Sequence, residues 1–150
     1  ESAPTAEETI SEPSEYEVMR TNAIAKKNRA TQTRLEKVLS YTKQTMVAYM
    51  SEEDLNRLCT YVAEYSTGDT LQKISPVKVD SQLKSVDIMH FGWNIGKAFS
   101  KKRIHTATFI KNVFAYTLRD LEVSTIERKM SHTESVCSIK LANIILYPPI

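Results

Sequence analysis

Apolar side chains recur every three or four positions over much of this chain, which is the spacing of amphipathic helices. One such stripe covers residues 31–50, and a second covers residues 52–66. Ser51 stands three residues before Asp54 at the start of the second stripe, which is the spacing of a capping box that bonds the first free amides of a helix. The pattern therefore predicts two helices in the first half of the chain, the second ended by Gly68 in a left-handed conformation.

The clearest helical stripes lie on either side of a short basic turn. Residues 85–99 repeat Ile and Phe at helical spacing, and residues 105–120 do the same with Phe, Ile, Val and Leu. Between them come Lys101, Lys102 and Arg103. Two amphipathic helices that meet at a cationic corner are typical of a helix-turn-helix reader of nucleic acid, and equally of any helical hairpin with a solvated turn.

Two glycines interrupt the first helix of this pair. Gly92 and Gly96 are four residues apart, and each costs about 1 kcal/mol relative to alanine inside a helix. We therefore expect another element to approach closely over their face. This face and the apolar end of the chain, residues 144–150, are also the candidate surfaces for a homodimer or a protein partner.

The remaining segments carry patterns that favour β-structure. Ile74, Val77 and Val79 alternate with polar residues around a proline, which suits an edge strand within residues 71–79. Residues 123–141 contain two β-branched or apolar segments separated by a polar turn, which predicts a hairpin. The expected fold is mainly α with a small β-hairpin, in a winged-helix-like, helix-turn-helix arrangement. An all-α helical bundle is the alternative.

Composition indicates one folded domain preceded by polar segments. The chain has 150 residues, of which 41% are apolar and 25% charged, as in ordinary globular proteins. We expect residues 1–19 to be a disordered acidic tail, residues 20–34 a basic arm, and residues 35–150 a single helical domain with a C-terminal hairpin. There is no apolar run of membrane-spanning length and no signal-peptide pattern, so the expected location is cytoplasmic with no membrane partner.

Charge is distributed unevenly along the chain. The formal net charge is +2, but six glutamates and no cation precede Val18, so the rest of the chain has 20 basic and 12 acidic residues, a net charge of +8. A negatively charged partner is compatible with this excess, although proteins that bind no polyanion also carry such charges.

The sequence lacks the usual signatures of catalysis and metal binding. His90, His105 and His132 do not have the spacing of a zinc motif, and Cys59 and Cys137 are too far apart in sequence to form one, so a buried thiol pair is expected. No nucleophile-elbow or glycine-rich phosphate motif is present. We therefore expect no enzyme activity, no metal and no cofactor.

Two further interpretations concern the first helix of the pair. Trp93 and His90 are expected in the core or at an interface, and Asn94 and Lys97 at the solvent-facing side.

The second helix of the pair carries the candidate functional residues. Its polar positions avoid the apolar stripe and supply donors for phosphates and base edges, whereas a solvated face is an equally good explanation. The turn cations would bind phosphate while Lys111 and Asn112 face the groove of double-stranded DNA. The expected function is a nucleic-acid-binding accessory or regulatory protein, and the alternative is a non-catalytic protein-interaction or structural module. The candidate nucleic-acid-binding residues are Lys101, Lys102, Arg103, His105, Thr108, Lys111, Asn112 and Arg119.

One stretch of the sequence also resembles known proteins. The succession HFGWNIGKAF followed by FIKNVFAYTLRDLEVSTIERK, within residues 88–129, is similar to a segment of small uncharacterised proteins carried on bacterial mobile elements. The resemblance implies a bacterial, cytoplasmic setting and supplies no residue roles.

Overall fold

The computed structural model describes residues 11–68, 71, 73–133 and 136–146. Within these residues the chain forms α-helices, one short 3-10 helix at Ile144–Leu146 and no β-strand. The α-helices are α1 (Glu15–Met46), α2 (Glu52–Thr67), α3 (Ser85–Ala98), α4 (Arg103–Val113) and α5 (Val123–Lys129).

The chain divides into two compact units, residues 1–33 and residues 34–150. The described part of the first unit consists of residues 11–14 and the N-terminal part of α1, and nearly all of its side chains are exposed. Helix α1 thus includes the last five residues of the predicted tail and the whole of the predicted arm. Residues 1–10, also predicted as tail, lie outside the described residues.

The core of the second unit is built around stacked aromatic rings. Tyr65 of α2 lies parallel to Phe109 of α4, with ring centroids 4.2 Å apart. Phe91 of α3 stacks on Tyr41 of α1 and meets Phe114 edge to face. Rings in these arrangements contribute about 0.5–1.5 kcal/mol per pair beyond the burial of their area. The apolar stripes predicted from the sequence thus face one another in the core.

Helices α3 and α4 approach each other at the two glycines, as the sequence predicted. A Cβ atom on Gly92 would lie 2.7 Å from Ile110 Cγ2, and one on Gly96 would lie 2.3 Å from Thr106 Oγ1. Both distances are far below van der Waals contact, so only glycine fits at this crossing. Because α4 of the same chain covers the glycine face, the prediction that this face serves self-association is wrong.

The predicted winged-helix arrangement is wrong, and the all-α alternative agrees with the described residues. Residues 71–79, where described, form no strand; instead Arg57 donates to the carbonyls of Ser75 and Pro76, and the Val77 amide donates to the Val113 carbonyl at 2.9 Å. These bonds satisfy the extended backbone without a sheet.

The predicted hairpin is also absent from the described part of residues 123–141. Its first half forms α5, where Ile126 is buried, so one apolar side chain per turn is enough to anchor a short helix despite its β-branched residues. Its second half is irregular, because side chains of α3 supply the hydrogen bonds that a partner strand would have made. Tertiary contacts override β-propensity in both halves.

The ends of two helices differ from their predicted causes or positions. The N-terminus of α2 is confirmed, since Ser51 Oγ accepts the Asp54 amide at 3.1 Å. Gly68 does follow α2, but with φ −157° it is extended and not left-handed. Helix α4 ends at Val113, earlier than predicted, and the chain continues through turns to residue 120.

Candidate nucleic-acid interface

The basic turn between α3 and α4 has a defined backbone conformation. Ser100 has φ 58°, its amide donates to the Lys97 carbonyl at 3.1 Å, and the Lys101 amide donates to the Gly96 carbonyl at 2.8 Å. This pair of bonds is a Schellman motif, which reverses the chain at a helix C-terminus around one left-handed residue. The motif holds the turn cations close to the last turn of α3.

A pocket of about 390 Å³ opens beside this turn. It lies between the end of α3, the start of α4 and the end of α5, and its described lining contains three cations and no carboxylate. This volume falls in the usual range for small-ligand sites. The lining residues are Trp93, Gly96, Lys97, Ser100, Lys101, Arg103, Thr106 and Met130.

The indole of Trp93 holds two of the three cations. The Lys97 ammonium lies 5.5 Å from the ring centroid, and the Arg103 guanidinium carbon lies 5.1 Å from it. Both distances are within the range of cation–π attraction. Arg103 is fixed further, since its guanidinium donates to the Glu127 carbonyl and, at 3.0 Å, to Ser131 Oγ. The guanidinium is therefore positioned before any ligand arrives.

The third cation of the pocket is held in the same manner. Lys101 Nζ lies 5.0 Å from the ring centroid of Tyr65 and donates to the Gly68 carbonyl at 3.3 Å. Neither contact neutralises its charge, because an aromatic face and a carbonyl are dipolar partners. The pocket therefore keeps a positive potential that favours an anion.

The other predicted site residues do not line this pocket. Lys102 precedes α4 and is exposed, while His105 is half-buried on its first turn. Thr108 and Asn112 are exposed on α4, and the Thr108 hydroxyl donates to the Ile104 carbonyl at 2.9 Å.

Lys111 and Arg119, the last two predicted site residues, lie at the other end of α4. The Lys111 ammonium donates to the carbonyls of Leu118 and Leu121 at 2.8 and 2.7 Å, and to that of Arg119 at 3.3 Å. Arg119 is exposed, 3.9 Å from the Asp120 carboxylate. Lys111 thus closes the turns after α4 and does not face a ligand.

Sequence reasoning missed Trp93 and Lys97 as members of the site. Trp93, Lys97 and Lys101 recur every four residues, and this spacing places the first two on one side of α3 while the Schellman turn keeps the third near them. That spacing was the available signal. Lys97 is exposed, as expected, and Trp93 is half-buried.

A second group of polar residues on α3 was also missed. Asp87, His90 and Asn94 are buried, whereas Asn94 had been expected at the solvent-facing side, which is wrong. Asp87 Oδ1 accepts the amides of Ser138 and Ile139 at 2.6 and 3.0 Å. Together with the next two residues it forms a row, here called the α3 polar row, that binds an extended backbone.

The other two members of the α3 polar row complete this binding. Asn94 donates to the Lys140 carbonyl at 2.9 Å and accepts the Ala142 amide at 2.7 Å. Both ring nitrogens of His90 lie 2.7 Å from carbonyl oxygens, those of Ile139 and His132. Since carbonyl oxygens only accept, the ring serves both as a double donor, with a proton on each nitrogen. The row is a structural device and not a reactive centre.

The thiols and possible metal ligands give no sign of a reactive centre. Cys59 and Cys137 are free and half-buried, so they are not the fully buried pair that was expected. Burial raises the pKa of the Cys59 thiol, and the nearby Lys43 offsets this only in part, so the nucleophilic thiolate is disfavoured. No three His, Cys, Asp or Glu side chains come together as metal ligands in the described part of the chain.

Comparison of the chain with protein-family models, with curated proteins and with solved structures found no match. The resemblance to mobile-element proteins therefore stays a prediction. Within the described residues, none of the helices combines the length and the apolar character needed to cross a bilayer.

Proposed function

We propose that the protein is a non-catalytic nucleic-acid-binding protein, and that the polyanion contacts the corner between α3 and α4. The observation that carries the proposal is the pocket in which Lys97, Lys101 and Arg103 surround Trp93, with no carboxylate in its described lining. Cations positioned by aromatic contacts combine the two features that nucleic acids recognise, a positive charge for phosphate and an aromatic ring for bases.

The charge of the chain supports the same proposal. Residues 18–150 carry a net charge of +8, and exposed Lys102 adds a further cation beside the pocket. A positive surface of this kind increases the rate of encounter with a polyanion and makes binding sensitive to salt. An accessory or regulatory role follows from binding without an accompanying reactive group.

The test removes exposed charges at the corner and compares them with equal charges elsewhere. Lys97→Gln/Lys102→Gln is expected to weaken binding of labelled oligonucleotides and to reduce the salt slope by about 0.7–0.9 for each phosphate that is no longer neutralised. The control is Lys43→Gln/Lys73→Gln, which removes two exposed lysines away from the pocket. Fluorescence anisotropy at two salt concentrations measures both quantities. The proposal fails if the wild-type chain does not bind at low salt, or if the control loses as much affinity as the corner variant.

A protein-interaction module remains the second candidate, favoured by one observation on α1. Four apolar side chains of its N-terminal part are exposed, with Tyr16 at 68% and Met19 at 57% of their full area. Apolar side chains grouped on one element can form a contact with another protein. This function predicts co-purification with a protein partner and no salt-sensitive retention of nucleic acid.

A further inference from the structure

The exposed face of α4 is poorly suited to reading a double helix. A helix that enters the major groove presents donors to base edges and cations to the flanking phosphates. The cation expected to do this, Lys111, donates to three carbonyls of its own chain. The exposed positions around it are Ile104, Thr108 and Asn112, and they carry no charge.

The cations of the corner instead surround a concave site. The pocket of about 390 Å³ is closed on its sides by α3, α4 and α5. A base that is paired and stacked inside a duplex presents only its edges, so it cannot enter such a pocket. An unpaired nucleotide can, because both its base face and its phosphate are accessible.

The chemistry of the lining suits both parts of a nucleotide. Lys97, Lys101 and Arg103 provide positive charge on more than one side of the cavity, which suits a phosphate. Trp93 provides an aromatic surface, and base–aromatic contacts tolerate any base because every base has a π-face. Proteins that bind single strands without sequence preference combine these two features.

We infer that this pocket holds one unpaired nucleotide of a single strand, with its phosphate among Lys97, Lys101 and Arg103 and its base beside Trp93. The inference rests on the proposed function and narrows it from nucleic acid in general to unpaired nucleic acid. Double-stranded DNA, the partner expected from the sequence, becomes the weaker ligand.

The experiment uses the intrinsic fluorescence of Trp93, which is the only tryptophan of the chain, so its emission reports on the pocket alone. The full chain is titrated with a single-stranded DNA of about 10 nucleotides, a single-stranded RNA of the same sequence, the corresponding duplex, a nucleoside monophosphate and inorganic phosphate. We expect either single strand, or both, to change the emission and to bind at least tenfold more tightly than the duplex. The two strands separate DNA from RNA as the source of the nucleotide.

Variants test the aromatic contact independently of emission. Trp93→Leu is expected to weaken single-strand binding roughly tenfold by anisotropy. The matched control is Tyr116→Leu, since Tyr116 is also an aromatic residue beside a lysine, with Lys78 Nζ 5.5 Å from its ring centroid, but lies outside the pocket. Thermal melts verify folding, and Lys97→Gln, which keeps the indole, tests the same site should Trp93→Leu be unfolded.

The outcomes separate this inference from the proposed function. If duplex and single strand bind equally, with Trp93→Leu unaffected while Lys97→Gln/Lys102→Gln is weakened, the pocket inference is overturned and the proposed function stands. If inorganic phosphate changes the emission as much as the nucleotide does, the base contact is overturned. If no nucleic acid binds at low salt, both proposals fall together.

Discussion

Two residues near the end of α3, Gly96 and Ser100, set the geometry of the pocket. Gly96 lets Thr106 of α4 approach the α3 backbone, and its carbonyl accepts the Lys101 amide at 2.8 Å. Ser100 takes the left-handed conformation that turns the chain, which costs a non-glycine residue about 1–2 kcal/mol. The positions of the lining cations therefore depend on side chains that never touch a ligand.

Gly96→Ala is expected to lower the free energy of unfolding by roughly 1–3 kcal/mol. The added Cβ would meet Thr106 Oγ1 at 2.3 Å, and Thr106 has little room to move because it is buried and bonded to the Tyr65 hydroxyl at 2.9 Å. Urea unfolding followed by circular dichroism measures the change. Gly68→Ala is the control, since nothing lies within 4 Å of its Cβ position and its backbone is extended. Equal stability of the two variants would contradict the close crossing.

At the scale of elements, the α3 polar row explains how the end of the chain binds without a sheet. The row spans two turns of α3, and its spacing of three and four residues puts Asp87, His90 and Asn94 on one side of the helix. Together they bond backbone groups between His132 and Ala142. A helix thus performs for this segment the role that a neighbouring strand performs in a sheet.

The contrast between α3 and this last segment indicates how far the sequence could predict the fold. Helical periodicity reports on local geometry, so it placed α2 and α3 within a few residues and anticipated the glycine crossing. The segment of residues 136–142 shows the apolar alternation of a strand, because any extended backbone with one buried side does. Its actual partner, Asp87, is 51 residues away from Ser138, and no local pattern encodes that contact.

The same distinction holds for the candidate site. Lys101 and Arg103 were predicted because a run of cations is visible in the sequence itself. Trp93 was assigned to the core or an interface because an indole among apolar residues usually lies there. Its role follows only once α4 brings Arg103 to within 5.1 Å of the ring, a contact of tertiary structure.

The α3 polar row carries the prediction that belongs to this scale. Asp87→Ala is expected to cost about 3 kcal/mol, because it leaves the amides of Ser138 and Ile139 without their charged acceptor. Hydrogen exchange should show these two amides losing protection, with a smaller loss in Asp87→Asn, which keeps an acceptor oxygen. Asp120→Ala, at a carboxylate that is 93% exposed, should change stability by less than about 0.5 kcal/mol. Unaltered exchange at both amides would show that the carboxylate does not hold the segment.

At the scale of the whole molecule, charge is separated along the chain. The six glutamates before Val18 oppose the positive charge of the rest and reduce the net charge to +2. Exposed charges act on one another and on a distant polyanion over roughly the Debye length, about 30 Å at 0.01 M salt and 3 Å at 1 M. The glutamates should therefore weaken the attraction of a nucleic acid at low salt, without contacting it.

Replacing Glu1, Glu7, Glu8 and Glu12 with glutamine raises the net charge from +2 to +6 at constant chain length. Given the proposed function, we expect this variant to associate with a single-stranded oligonucleotide at least about threefold faster at 0.01 M salt, because the longer-range repulsion of phosphate is removed. The difference should vanish near 1 M salt, where such charges are screened. Stopped-flow fluorescence at several salt concentrations measures the rates.

The control for this change puts four glutamines into the same segment without altering its charge, at Ser2, Thr5, Thr9 and Ser11. This control should associate at the wild-type rate, because the four carboxylates that oppose the phosphates remain in place. A gain in rate shared by both variants would mean that the polarity or conformation of the segment matters and not its charge. A gain that persisted at 1 M salt would have the same meaning, since screening leaves only short-range contacts to distinguish the variants. An effect confined to the charge variant at low salt would instead make the N-terminal glutamates a general brake on polyanion binding.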